Sequence, residues 1–412
     1  MKINLITLLL ACLLIPGLVE AQSLESLLQR SVEANPELKE LHLRYEAAKL
    51  QSKQVTQIPS PEIGIGVPIL RPETRLGSQA FMVSARQMFP WFGALNSNSN
   101  IAISMAAEEY EKITATKLDL YYQVKEAYYK LYLLDEEQET LRESIRLFEA
   151  LEQIAVVKLE TGAISAADVL MIQIKLDVMR KEIQLKENMK MVYYSRINTI
   201  TNSNLTAVVT ITDTFGEVAS VDFDFEELRL RLEKHHPLLR KIEAQIRTSE
   251  FKQQENLKSA SPSLGVGLDY TLIHSRSDAN PEFNGRDILV PKIMFSLPIY
   301  RQKYKSVNEE ETLRQQLYSY EKEDLMNSLL SRLVSLKSEY DNAVLRIELV
   351  EEQIRKTDSA YEILLGEYSS NSKRIDELIV ILDKLVEYTL EYKRAIVNSY
   401  LAKAGIERLT DF

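Results

Sequence analysis

Apolar residues step by two in four short stretches of the chain and by three and four almost everywhere between them. In the first stretch Ile63, Ile65, Val67 and Ile69 alternate with Glu62, Gly64, Gly66 and Pro68. In the third, Leu264, Val266, Leu268, Tyr270 and Leu272 alternate with Gly265, Gly267, Asp269 and Thr271. A period of two makes one face of a strand apolar and the other small or polar, as in a barrel with lipid outside and water inside. The second and fourth stretches alternate less cleanly, but they place Ser84, Arg86, Lys292 and Ser296 on the polar face. The predicted strands are therefore about 62–70, 81–89, 263–272 and 288–297, close to the roughly 9–11 residues that cross a bilayer at a tilt. A soluble antiparallel sheet buried on one face would alternate in the same way, so the strands alone leave both readings open.

The remaining pattern is helical. From about Ser99 to Lys158 there is no Gly or Pro, and an unbroken helix of that length would extend on the order of 90 Å. Its seam steps through Leu120, Val124, Ala127, Leu131, Leu134, Gln138, Leu141, Ile145 and Phe148 to Ala155. A second seam runs 209 residues later, from Leu329 and Leu333 to Leu364. This is heptad spacing of the coiled-coil kind. The chain turns at Gly162 and near Asn371, then returns along Val169, Ile172, Leu176, Met179 and Ile183 and along Leu378, Ile381, Leu385, Tyr388 and Tyr392. Each half thus ends in a long antiparallel helical hairpin.

The two halves are one unit written twice. Ser60-Pro61-Glu62-Ile63-Gly64-Ile65-Gly66-Val67 returns 201 residues on as Ser261-Pro262-Ser263-Leu264-Gly265-Val266-Gly267-Leu268, and Phe89-Pro90 returns as Leu297-Pro298. Pro61, Pro90, Pro262 and Pro298 stand at the four junctions of strand and helix, where a residue that can neither continue a ladder nor sit inside a helix belongs. The predicted organisation is a signal peptide over 1–21, a first repeat over 22–201, a linker over 202–223 and a second repeat over 224–412. Two strands per repeat make four per chain, and four strands cannot close a barrel. If the strands enter a membrane, several chains must share one barrel. Phe89, Trp91 and Phe92 at one strand end and Tyr300 at the equivalent end are suited to the headgroup level of a bilayer.

The first 21 residues read as an export signal: Lys2, an apolar run from Ile3 to Ile15, a Pro16-Gly17 break, and small residues at Val19 and Ala21. Cleavage after Ala21 removes Cys12, the one cysteine, leaving no thiol for a disulfide or a metal. Acylation of Cys12 as a lipoprotein is the competing reading. No later run has the roughly 18–20 apolar residues of a transmembrane helix, so membrane contact must come through strands or a surface. Asp and Glu number 60 against 50 Lys and Arg, a net charge of −10, which argues against nucleic acid as a partner. His42, His235, His236 and His274 show no metal-ligand spacing, and no phosphate loop or nucleophile motif is present. No enzymatic activity, catalytic residue, metal site or cofactor is expected.

Signal peptide, tandem repeat, paired strands, coiled-coil hairpins and the motif Leu159-x-x-Gly162-x-x-Ser165-x-x-Asp168-Val169-Leu170 together resemble the TolC family of bacterial outer-membrane efflux proteins. The resemblance covers about Ser23 to Leu409, and Gln87-Met88-Phe89-Pro90-Trp91-Phe92-Gly93 is most similar to its heavy-metal efflux branch. It implies a mixed α/β membrane protein acting as a homotrimer in the Gram-negative outer membrane. Twelve strands would form one barrel there, and twelve helices a hollow α-barrel across the periplasm. It also implies two partners, a periplasmic adaptor (membrane fusion) protein and an inner-membrane pump of RND type, with metal cations or small toxic compounds as cargo. The family's adaptor contacts transfer to the hairpin tips, Thr161, Gly162 and Ala163 in the first half and Ser370, Asn371 and Ser372 in the second, where Asn371 stands in place of the usual Gly. Its acidic periplasmic gate transfers to Glu377, with Asp376, Asp383 and the repeat-related Asp168 beside it. A structural coiled-coil protein and a periplasmic adaptor are the competing classes. The first does not explain duplicated strands between prolines, and the second would carry a lipoyl-like β domain that has no counterpart in this sequence.

Overall fold

The computed structural model describes residues 23–370 and 375–410. The signal segment therefore lies outside the described residues. Two short helices, α1 (Leu24–Ala34) and α2 (Pro36–Gln54), lead to strands β1 (Glu62–Gly66), β2 (Glu73–Thr74) and β3 (Gly77–Phe89). The long hairpin α3 (Ala94–Glu160) and α4 (Ala166–Ile200) follows. The second half repeats the order with α5 (Phe225–His235), α6 (Pro237–Ser259), β4 (Ser263–His274), β5 (Ile288–Ser296), α7 (Arg301–Ser370) and α8 (Ile375–Thr410). Two compact units are built from these elements: one holds 23–39, 114–236 and 327–410, the other Glu40–Ile113 and Pro237–Met326.

The second unit contains the sheet, an antiparallel array in the order β1-β3-β4-β5 with β2 paired to the start of β3. β1 is shorter than predicted. It stops at Gly66 rather than near residue 70, because Pro68 has no N–H for a ladder and its ring fixes φ. β3 is longer, beginning at Gly77 rather than 81. Gly77 has φ +137°, and a Cβ there would stand 1.7 Å from the carbonyl oxygen of His274. That close approach of two hairpin backbones is the reason for glycine at this position.

The first unit is helical. Its lower core is one apolar cluster drawn from four helices, with Leu141, Phe148 and Ala155 of α3, Ile172 and Leu176 of α4, Leu364 and Tyr368 of α7, and Leu378 and Leu382 of α8. The α3, α4 and α7 seams follow the predicted positions. On α8 the buried face is Leu378, Ile379, Leu382 and Val386, while Ile381, Leu385, Tyr388 and Tyr392 are only half-buried at its flank. Two adjacent apolar stripes on one helix satisfy the same heptad spacing, so the spacing alone did not choose between them.

Above the apolar cluster the seam becomes polar. Gln138, 1% exposed, donates to Ile183 O and Glu187 Oε2, both at 3.0 Å, and accepts from Lys190 Nζ at 2.6 Å. Buried Glu137 receives Lys186 of α4 at 2.5 Å and Arg394 of α8 at 2.6 Å. The predicted linker is not a loose connection. Phe215 stands edge-on among Tyr128, Tyr129, Tyr132 and Tyr400, with ring centroids 4.9–6.3 Å away. Asp213 accepts from Tyr128 Oη and from Leu24 N, both at 2.8 Å. Burial, then the hydrogen bond and charge of Asp213, push the Tyr128 phenol up to about 12.

His236, the last residue before α6, is buried beside Pro237. Burial first and the charge of Arg408 second push its imidazole down from 6.5 to about 4. A depressed imidazole means that the unfolded chain takes up the proton first as pH falls, so stability is full above about pH 6.5 and is lost between there and pH 4. The loss should reach about 3 kcal/mol at pH 4. Denaturation midpoints measured across that window should fall in the parent and flatten in His236→Gln; parallel profiles would remove His236 as the cause.

Candidate functional site

Cross-strand register sorts the sheet into two faces. Ile65, Val83, Tyr270 and Leu289 lie in one row, Ile63, Ala85, Leu268 and Pro291 in the next, and Phe89, Leu264 and Phe295 in a third. Every member of these rows is apolar or aromatic, and Ile63 and Ile65 are 72% and 71% exposed; a further row on this face sets Gln87 beside Val266 and Ile293, the last 70% exposed. The opposite face carries Gly64, Ser84, Asp269 and Val290 in one row and Glu62, Arg86, Gly267 and Lys292 in another, with Met82, Thr271 and Ile288 on one side of them and Met88, Gly265 and Met294 on the other. Lys292 reaches across the strands to the Asp269 carboxylate. Ser84, Arg86, Lys292 and Ser296 therefore share one face with the glycines, as their alternation suggested. An apolar surface of this extent, left uncovered, marks a lipid or protein contact. At the strand ends Phe89 and Trp91 are partly exposed, Phe92 is 87% and Tyr300 80% exposed, and Trp91 packs edge-on against Phe92.

The first hairpin tip is built to turn sharply and leave its surface bare. Gly162 has φ +74°, and a Cβ added to it would meet nothing within 4 Å. Gly162 N donates to Leu159 O and Ala163 N to Lys158 O, both at 2.9 Å, which closes α3 with a Schellman motif. Ser165 then caps α4: its hydroxyl accepts from Asp168 N at 3.3 Å, while Asp168 Oδ2 accepts from Ser165 N at 2.9 Å. Ile164 and Val169, flanking that cap, both join the apolar core. Thr161, Gly162 and Ala163 remain exposed. Lys158 joins this tip to the end of α7, donating to Tyr368 O at 2.5 Å with its ammonium 4.2 Å above the Tyr368 ring. That link was invisible in the sequence because the two residues are 210 apart. In the second tip, Ser370 closes α7, while its side chain and all of Asn371 and Ser372 lie outside the described residues.

The four acidic candidates separate. Asp168 is held in the Ser165 capping box, and Asp383 pairs with Lys175 of α4 at 2.8 Å. Asp376 and Glu377 stay exposed on the first turn of α8, beside a groove of about 420 Å³ lined also by Leu364, Val380 and Ile381. Carboxylates in that turn also complement the helix dipole. Among the described residues no group of His, Cys, Asp or Glu is arranged to hold a metal ion, and no helix is long and apolar enough to cross a membrane.

Residues 27–190 match the family model described as outer membrane efflux protein. No curated protein matches the chain by sequence. Solved structures match its fold. The outer membrane protein VceC of Vibrio cholerae is 12% identical over 94% of this chain and 95% of its own, with a TM-score of 0.74. The Campylobacter jejuni CmeC outer membrane channel is 12% identical over 94% and 85%, with a TM-score of 0.74. The Neisseria gonorrhoeae MtrE outer membrane channel, in its open state, is 13% identical over 94% and 88%, with a TM-score of 0.72. The chain thus has the fold of outer-membrane channels, long helical hairpins together with a small sheet.

Proposed function

We propose that this chain is the outer-membrane exit duct of a tripartite efflux assembly, a passive conduit that acts as a homotrimer. The observation that carries the reading is the sheet: one face predominantly apolar and exposed, the other holding the glycines and the charged residues Glu62, Arg86, Asp269 and Lys292 together with some methionine and aliphatic residues, with aromatic rings at its ends. In hydrocarbon no water satisfies a free strand edge, so only a closed array is stable there. β1 and β5 end the strand order of one chain, and pairing β1 of one copy with β5 of the next closes β1, β3, β4 and β5 of three copies, twelve strands, around a shared axis. β1, five residues long in the single chain, has the most to gain from a second neighbour. The polar face then lines the lumen and the apolar face meets lipid.

The helical hairpins supply the periplasmic end. Their tips receive an adaptor protein at Thr161, Gly162 and Ala163, and an inner-membrane pump of RND type drives the cargo. The stretch Gln87 to Gly93, similar to the heavy-metal branch, favours metal cations as that cargo; growth of a deletion strain on metal salts and on dyes would separate them from small toxic compounds. The purified protein should be a detergent-dependent trimer that resists mild denaturation and conducts in planar bilayers. A stable, water-soluble monomer overturns the barrel.

The same bilayers test the gate. Three copies of Glu377 around a narrow mouth would repel one another and hold cations. Glu377→Gln should weaken cation selectivity and relieve block by multivalent cations while the trimer melts as before. Asp383→Gln, whose carboxylate belongs to Lys175, should leave selectivity intact. If both variants conduct and select like the parent, Glu377 does not face the pore.

A further inference from the structure

Where β3, β4 and β5 give way to helices, the chain lines an open cavity of about 610 Å³. Its walls include Trp91, Lys258, Lys303, Ser261, Ser263 and Ser296. Lys258 is half-buried on α6 and donates to Gly93 O at 3.2 Å. Gly93, at φ +80°, leaves room for that ammonium: a Cβ there would stand 2.9 Å from Lys258 Nζ. An ammonium has three donors, and Gly93 occupies one. Lys303 lies over the ring of Tyr304, 5.9 Å from its centroid. Among the described residues neither lysine forms a salt bridge, whereas Lys305, just outside the cavity, pairs with Glu309. The one carboxylate in the wall, Glu255, accepts from the Ser259 hydroxyl. Two ammonium groups that lack a salt-bridge partner, set among four serines with a single carboxylate whose Oε1 is engaged by Ser259, leave the space net positive and suit a tetrahedral oxyanion.

We propose that this cavity binds a phosphate group, carried by a lipid headgroup or by free phosphate. Placing it at headgroup depth, beside the exposed Trp91 and Phe89, rests on the barrel reading above; the cavity itself does not. The test titrates phosphatidylglycerol and, separately, inorganic phosphate into the full chain in detergent, with binding read by calorimetry. Saturable binding of phosphatidylglycerol that phosphate does not displace identifies a lipid headgroup, and binding of phosphate alone identifies the free ion. In either case Lys258→Gln/Lys303→Gln should weaken binding at least about tenfold, since two charge-assisted bonds are lost. Lys303→Gln, altering only an exposed side chain, should weaken it with folding untouched, and Lys305→Gln, outside the cavity, should not. No binding of either ligand, or equal binding by the lysine variants, overturns the site. Size and detergent dependence of the same samples report on the barrel separately, so a water-soluble monomer that still binds phosphate would retain this site and discard the duct.

Discussion

Gly162→Glu is expected to abolish efflux while leaving the protein folded and in the outer membrane. The positive φ of Gly162 means that any L side chain there strains the backbone, by about 1–2 kcal/mol for a single left-handed residue. The Schellman closure on one side and the Ser165–Asp168 capping box on the other hold the turn against a strain of that size. Space is not the obstacle within the chain, because nothing lies within 4 Å of an added Cβ. Such open ground is where a partner's helical hairpin would come close, and a glutamate would bring bulk and charge into that contact. Gly162→Asn is the informative control, since Asn tolerates the left-handed conformation and adds less bulk and no charge. The glutamate variant should lose both cross-linking to the adaptor and efflux-dependent growth, and the asparagine variant should lose less of each. Full efflux by Gly162→Glu would remove the first tip from the docking surface.

Local periodicity made most of the fold legible before any coordinates. The strands announced themselves because a pleated ladder with one wet face forces alternation, and the register of β3 on β4 puts Arg86 opposite Gly267 as that alternation requires. What periodicity misjudged were the places where backbone chemistry or long-range packing decides. Pro68 ended β1 early, Gly77 let β3 begin against the His274 carbonyl, and α8 turned Leu382 rather than Leu385 to the core. The candidate site was legible unevenly. The turn at Gly162 could be read directly, whereas Ser165 entered only as a position of the family motif and its capping role comes from the structure. For Asp168 the same spacing serves a gate and a capping box, and the structure shows the capping box, its carboxylate accepting from Ser165. Lys158 on Tyr368 and Phe215 among four tyrosines depend on contacts between distant segments, which no window of sequence contains.

The polar layer around Glu137 was likewise hidden, since Glu137 sits beside a seam that reads as an ordinary heptad. Glu137→Ala should be among the most destabilising single changes in the helical unit. The Glu137 side chain is 5% exposed and that of Lys186 11%, so removing the carboxylate strands an ammonium away from water. Breaking a buried pair from one side costs about 3–5 kcal/mol. Arg394 behaves differently: half-exposed at 51%, it can return to solvent when its partner goes, so Arg394→Ala should cost about 1 kcal/mol or less. The double replacement Glu137→Met/Lys186→Met removes both charges and keeps the volume, and should recover most of the loss. Thermal melting of the detergent-solubilised protein reads all three variants against the parent. A Glu137→Ala variant within about 1 kcal/mol of the parent would mean that the Lys186 stem bends its ammonium out to water, and that the Glu137 ion pairs are not what holds α3, α4 and α8 together at this level.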